Sequence, residues 1–318
     1  MNKMKTMILA LAIGGILAGC TNTEAPTAVI SGAPEPLTRD VFFDVPRRGP
    51  VPLKVAGKLP SVINESSGLA QASESGVFWT QNDSGDRARV FAIDAYGKLV
   101  GQAGKSGVVI TNARNVDWED LAEDFRGNLL IGAFGNNNNH RRDLSIYQVP
   151  MPDPATATTA DATARWIFHF PDQKEFPPEE KNYDCEAMFV AQGKIYLLTK
   201  HRDDTMTTLY RLDSRDETES NALTLLAQGN LRGMVTGAAS WNDGQRVAVL
   251  SYSGVWVFTP PTSDGARIFE GAVSWMPIRA GQAEAVAFLD ADTLIITNEQ
   301  REVFHVQISE MSTVSRRD

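Results

Sequence analysis

From Leu53 onward, short apolar runs alternate with polar turns, and the runs recur in one fixed order. A step of small and apolar residues comes first: Ser67-Gly68-Leu69-Ala70, Glu119-Asp120-Leu121-Ala122, Glu186-Ala187-Met188-Phe189, Thr236-Gly237-Ala238-Ala239 and Glu284-Ala285-Val286-Ala287. The steps start 52, 67, 50 and 48 residues apart. A second apolar run follows each step within a dozen residues: Val77-Phe78-Trp79, Leu129-Leu130-Ile131, Ile195 to Leu198, Val247 to Leu250 and Leu294-Ile295-Ile296. A third lies beyond a polar loop: Val90 to Ile93, Leu144 to Val149, Leu209 to Leu212, Val255 to Phe258 and Val303 to Val306. A weaker fourth, such as Trp166-Ile167-Phe168 or Leu223 to Leu226, precedes the next unit.

Runs this short, bounded by Gly, Asn and Asp, predict strands. Four strands at a period of about 50 residues describe a β-propeller blade. The sequence therefore predicts an all-β protein of five four-stranded blades. Six is the alternative, because the 67-residue interval has room for a degenerate blade; it is read instead as one strand, Thr163 to Phe170, plus an inserted loop with Pro171, Pro177 and Pro178. A β-sandwich or solenoid is the other architecture that such runs allow. The last unit, Glu284 to Ile308, has three runs, and Leu53 to Leu59 stands before Ser67 as a fourth strand stands before other units. That N-terminal strand is expected to complete the last blade and close the ring, leaving no long edge unpaired.

The residues before Leu53 read differently. Lys3 and Lys5 precede an apolar stretch, Met7 to Leu17, too short to span a bilayer, which needs about 20 apolar residues. It ends in Leu17-Ala18-Gly19-Cys20, which resembles the bacterial lipobox. The resemblance implies a signal peptide over residues 1–19, removed before a Cys20 that is then acylated. Thr21, in place of the Asp that retains many such proteins at the inner membrane, implies the outer membrane, with the head in the periplasm. Residues 20–52, rich in Thr, Ala and Pro, read as a tether with a short extended piece at Asp40 to Val45. The propeller is assigned to residues 53–318.

With Cys20 modified, only Cys185 remains, so no internal disulfide can form. Losing Lys3 and Lys5 lowers the 30 basic residues to 28 against 39 acids, a net charge near −11. That excludes nucleic acid as a partner and disfavours direct adhesion to an anionic bilayer. The expected partners are the membrane, through the lipid anchor, and an envelope protein or a small anionic ligand.

Two repeat positions, two residues apart, point to one side of the first strand of every unit. One carries Glu65, Asp117, Asp184, Met234 and Gln282; the other carries Ser67, Glu119, Glu186, Thr236 and Glu284. In a propeller these line the mouth of the central channel. Carboxylates so close raise one another's pKa unless a cation sits among them. They either cap backbone N–H groups and pair with Arg114, Arg232 or Arg279, or hold a hard cation such as Ca²⁺ through Glu119, Glu186 and Glu284. The loops on the same face add a rim of Asn82, Asp83, His140, Arg142, Lys200, His201, Asn298 and Arg301, a mixture suited to an anion or a phosphoester. The four histidines lack metal-type spacing, no G-x-S-x-G elbow is present, and Gly104-Lys105-Ser106 lacks the first glycine of a P-loop. The tryptophans read as packing between blades.

Glu65 to Ala70, Trp79 to Gly85, Asp117 to Ala122 and Asp184 to Met188 resemble a set of exported bacterial β-propeller proteins, and more distantly the SdiA-regulated family and esterase-like phytase-type and gluconolactonase-type propellers. Some of these hold Ca²⁺ with channel carboxylates, so the resemblance implies a five-bladed ring with a possible Ca²⁺ site. In such relatives an acidic loop is expected where this chain has Ala133 and Asn136. Two functions follow as expectations. One is a membrane-anchored module that binds a ligand or protein. The alternative is a metal-assisted hydrolase of phosphoesters or lactones, with Asp117, Asp184, His201 and Arg301 as candidate catalytic residues.

Overall fold

The structure is a computed structural model that describes residues 40–317. The expected signal peptide, Cys20 and most of the expected tether lie outside these residues. Five antiparallel four-stranded sheets are arranged as blades. Blade 1 runs through Ser66–Gln71, Val77–Asn82, Arg89–Asp94 and Val108–Thr111. Blade 2 uses Leu121–Glu123, Asn128–Ala133, Ser145–Pro150 and Ala164–His169. Blade 3 uses Asp184–Ala191, Lys194–Lys200, Met206–Leu212 and Thr224–Asn230. Blade 4 uses Val235–Trp241, Arg246–Ser251, Gly254–Thr259 and Ala272–Arg279. Blade 5 uses Ala283–Phe288, Thr293–Asn298 and Glu302–Gln307, and its outer strand is Val55–Lys58 from the N-terminal side, paired antiparallel with Glu302–Gln307. The ring is thus closed by the expected strand, and the count is five. The long interval between the second and third steps supplies no sixth blade: Thr159–Asp161 adds a fifth, parallel strand to blade 1, and the Pro-rich stretch is a loop.

Each pair of neighbouring blades shares one apolar cluster. Trp79 and Trp118 sit between blades 1 and 2; Phe134, Phe168, Cys185 and Met188 between 2 and 3; Phe189, Trp256 and Phe258 between 3 and 4. Leu250, Val286 and Ile296 fill the space between blades 4 and 5, and Leu69, Phe78 and Ile295 that between 5 and 1. Trp79, Trp118 and Trp256 are fully buried there, as packing residues. Cys185 is buried with its Sγ toward the Leu198 carbonyl, and burial pushes its thiol well above the usual range, which makes it an inert apolar filler.

One junction differs from the others. Asp40–Asp44 pairs in parallel with the outer strand of blade 3 and antiparallel with Ser312–Arg317, which in turn pairs with the outer strand of blade 4. Two terminal strands therefore fuse blades 3 and 4 into one continuous sheet. Alternation explains the fit: Val41 and Phe43 are buried while Asp40, Phe42 and Asp44 face out. The Phe43 ring lies 5.3 Å from Trp256, 5.8 Å from Phe258 and 6.2 Å from Phe269. Val51–Pro52 also pairs with blade 4. The extended piece read at Asp40 to Val45 is thus a sheet strand, and from Asp40 onward the tether is held on the propeller.

Candidate functional site: the channel mouth

The inner strands carry one extra residue at the same place. In blades 1, 3, 4 and 5 the ladder slips across Ser67, Glu186, Thr236 and Glu284. In blade 2 the Glu119 N–H donates to the Gly132 carbonyl while the Gly132 N–H donates to Asp120, so two residues face one. A bulge leaves its extra residue unpaired and re-aims the side chain. The repeat position that carries Glu119, Glu186 and Glu284 is therefore the bulged position of every blade. Glycine follows the bulge where adjacent inner strands come closest. A Cβ on Gly68 would lie 2.6 Å from the Leu121 nitrogen, and one on Gly237 would lie 2.6 Å from the Glu284 carbonyl oxygen.

The unpaired edges of the inner strands need partners, because a buried backbone group without one costs a lost hydrogen bond. Neighbouring blades supply them. Thr236 Oγ1 donates to the Ala283 carbonyl, Ser240 Oγ to that of Val190, and Gln81 Nε2 to that of Glu119. Asp120 does the most. Its fully buried carboxylate accepts from its own neighbour Leu121 N at 2.8 Å, from Met188 N of blade 3 at 2.8 Å and from Ala238 N of blade 4 at 3.1 Å. Burial raises its pKa well above the normal range, against the opposing pull of those three donors.

Above Asp120 the mouth divides into two halves of different charge. On the blade 3 to blade 5 side, acids meet bases. Lys200 Nζ lies 3.2 Å from Glu186 Oε1 and 3.3 Å from Tyr252 Oη, and Tyr252 donates to Glu284 at 2.5 Å. Arg202 grips Asp184 through Nε at 3.0 Å and a terminal nitrogen at 2.6 Å, while the Asn136 N–H donates to the other Asp184 oxygen at 2.7 Å. Desolvation pushes Glu186 well up, with Asp184 adding to it and Lys200 opposing; it pushes Glu284 to about 7. Lys200 is raised in spite of its burial, chiefly by Glu186.

The blade 1 to blade 2 side has fewer bases. One oxygen each from Asp83, Asp117 and Glu119 lie within 4.8 Å of one another. Ser67 Oγ donates to Glu119 at 3.2 Å, and Arg141 Nη1 stands 3.9 Å from Asp117. Gln81, fully buried beside Glu119, leaves its Oε1 without a donor. A Cβ on Gly135 would collide with Glu119 Oε1 and the Asp117 carboxyl, so glycine keeps this corner open. Desolvation, then the charge of Asp83, raises Asp117 to about 6, and burial raises Asp83 as well. Glu119 is pushed well up by burial and then by Glu186.

Several rim residues read from the sequence have other work. Asn82 accepts from Asn64 N and Glu65 N and donates to the Val62 carbonyl and Asp86, which fixes the turn before blade 1. Asn298 does the same before blade 5, donating to the Ala280 carbonyl and to Glu302. His201 is buried with Nδ1 against Asp204 and Nε2 against Thr208, and desolvation lowers its pKa. His140 is exposed, Arg142 stacks 3.8 Å over the Phe176 ring, and Arg301 sits in a left-handed turn at φ 66°. The structure brings Glu119 together with Asp83 and Asp117; Glu186 and Glu284 are committed to Lys200 and Tyr252. Arg202, Tyr252, Ser67 and Asp120 complete the mouth. A polar residue at the bulged position pointed to Ser67, but nothing in the apolar step distinguished Asp120.

The strand pairing defines a five-bladed β-propeller with a charged mouth. No family model matches the chain, and no curated protein does. Similar solved structures include the β-propeller domain of Cps50 (Swd1) from Myceliophteria thermophila, at 10% identity over 79% of this chain and 73% of that one, with a TM-score of 0.39. The major Malassezia sympodialis allergen Mala s 1 matches at 10% identity over 84% of this chain and 97% of that one, with a TM-score of 0.49. A chain of the mitotic checkpoint complex matches at 9% identity over 75% and 60%, with a TM-score of 0.35.

Proposed function

We propose that this protein is a lipid-anchored propeller of the cell envelope that works as a binding module, with the channel mouth as its ligand-facing site. The observation that carries the reading is the convergence of Asp83, Asp117 and Glu119 on one open corner, with Arg141 at 3.9 Å as the nearest paired cation. Hard oxygen donors at this spacing, with Glu119 at a bulged position and Asp83 and Asp117 in the loops beside it, suit Ca²⁺, which takes six to eight oxygen ligands. The buried Gln81 Oε1, left without a donor, adds a neutral oxygen beside Glu119. Bound there, Ca²⁺ would offset the burial, and for Asp117 and Glu119 the neighbouring negative charge, that raise these carboxyls, and would present its remaining positions to an anionic ligand or to a partner's carboxylate. Lys200 and Arg202, across the mouth, add positive charge toward the same ligand.

The hydrolase reading is less well supported by this geometry. It needs His201 and Arg301 to steady an anion beside the cation, and both nitrogens of His201 are engaged away from the trio. Asp184, held by Arg202 and Asn136 N–H, has its oxygens occupied and makes a poor general base.

The anchor is tested by growing cells with an alkyne-tagged palmitate: the wild type takes up label and floats with outer membranes, and Cys20→Ser does neither. The site is tested by equilibrium dialysis of the full chain against ⁴⁵Ca²⁺. One Ca²⁺ per chain is expected, lost in the Asp117→Asn/Glu119→Gln pair and kept in Asp204→Asn. Absence of saturable binding, or equal binding by the pair, overturns the cation site.

A further inference from the structure

Away from the channel, a groove of about 330 Å³ opens between the outer strand of blade 2 and the loop of residues 171–183. That size is at the lower end of small-molecule sites, which are mostly apolar with a few placed polar groups. Leu144 and Phe168 lie buried beneath it, and Phe176 of the loop, half-buried, forms its accessible apolar wall. His169, whose Nδ1 is held by Ser220 at 2.8 Å, stands at the rim.

The rim also carries positive charge. Of the two adjacent arginines, Arg141 is committed: it pairs with Asp143 at 3.1 Å and donates to the carbonyls of Gly135 and Ala133. Arg142 is not. Its guanidinium carbon lies 3.8 Å from the Phe176 ring centre, and among the described residues no carboxylate or carbonyl accepts from it. A cation held against an aromatic face at the edge of an apolar groove keeps its N–H donors for something else. The loop that bears Phe176 is itself tied down. Gln173 donates to the Asn139 carbonyl at 2.8 Å, Asn139 accepts from Tyr183 N, and Tyr210 donates to Asp172 at 2.9 Å. The wall of the groove is thus built in place, and little ordering is left for a ligand to drive.

We propose that this groove binds a small amphipathic anion, with its aromatic or acyl body against the Phe176 wall and its carboxylate or sulfonate on Arg142. The groove borders the channel mouth, with Arg141 between the two, but its anion contact is Arg142, which takes no part in the mouth. Charge selects the class: an apolar body alone gains nothing from Arg142, and a polar anion alone gains nothing from the Phe176 wall.

Two fluorescent probes that share an aromatic body separate these contributions: anilinonaphthalene sulfonate, which is anionic, and phenylnaphthylamine, which is uncharged. Titrated into the full chain, the sulfonate is expected to fill one saturable site. Arg142→Gln should weaken the sulfonate about tenfold, the loss of one charge-assisted contact, and leave phenylnaphthylamine within about twofold. Ser220→Trp, an exposed position at the rim, should block both probes. Both side chains are exposed, so the variants should melt with the wild type. The proposal is overturned if neither variant changes sulfonate binding, or if Arg142→Gln weakens both probes equally.

Discussion

Asp120→Ala is the most informative single perturbation of the ring. The wild-type carboxylate is fully buried and joins three inner strands by accepting from Leu121 N, Met188 N and Ala238 N. Alanine leaves all three donors buried and unpaired. Each orphaned donor costs about 1–3 kcal/mol, so the gross loss is about 3–9 kcal/mol. Relief of the desolvation that raises the Asp120 pKa works the other way. A net loss of about 3–5 kcal/mol follows, which for a domain of this size lowers Tm by roughly 6–20 °C at about 2–4 °C per kcal/mol. Asp120→Asn retains an oxygen for Met188 and Ala238 but turns an amide toward the Leu121 donor, so it should fall between. Urea unfolding measures the order wild type, Asn, Ala. Amide exchange adds position: Met188 and Ala238 should lose protection in the alanine variant ahead of the outer strands. A loss under about 0.5 kcal/mol, or unchanged exchange at both amides, would show that Asp120 does not hold the blades together.

Other expectations follow from the same geometry. Phe43→Ala removes a ring packed on Trp256, Phe258 and Phe269, and should cost about 3–5 kcal/mol by urea unfolding, although Phe43 precedes the first blade. Deleting residues 53–59 removes the closing strand of blade 5 and should lower both Tm and soluble yield; unchanged values would refute closure. Glu284 titrates near 7 in the folded chain against an ordinary 4.5, so the native state holds the proton more tightly than the unfolded one. Stability then falls as pH rises between those values, by about 3 kcal/mol at most, and Glu284→Gln should stabilise the cation-free protein at pH 8 but not at pH 4, as read by Tm. Asp117, raised to about 6, must lose its proton to bind a cation, so Ca²⁺ affinity measured by dialysis should weaken as pH falls through 6.

Much of the fold was legible because a propeller repeats. The small-residue step, the two apolar runs after it and the closing strand at Leu53 to Leu59 each sit at one place in a period, so one strong copy locates the weak ones. The channel register was legible for the same reason: a polar residue interrupts each apolar step at the position that proves to be a bulge. The seam between blades 3 and 4 was not. Ser312–Arg317 buries Val314 and little else, and its single alternation is too weak a signal. Individual side-chain roles were also hidden. Asn82 and Asn298 look like exposed loop residues but are turn-fixing and buried, and His201 turns from the channel to Asp204 and Thr208. Asp83 joins Asp117 and Glu119 from the neighbouring blade, a proximity that the packing of blade 1 on blade 2 creates.

The central claim, that the open corner of the mouth is a ligand site, is tested most directly by anomalous diffraction from crystals of the full chain soaked in Mn²⁺. The account predicts one strong peak within coordination distance of Asp83, Asp117 and Glu119, absent from crystals of the Asp117→Asn/Glu119→Gln variant. A map with no peak there at saturating Mn²⁺, or a peak that persists in the variant, would contradict it.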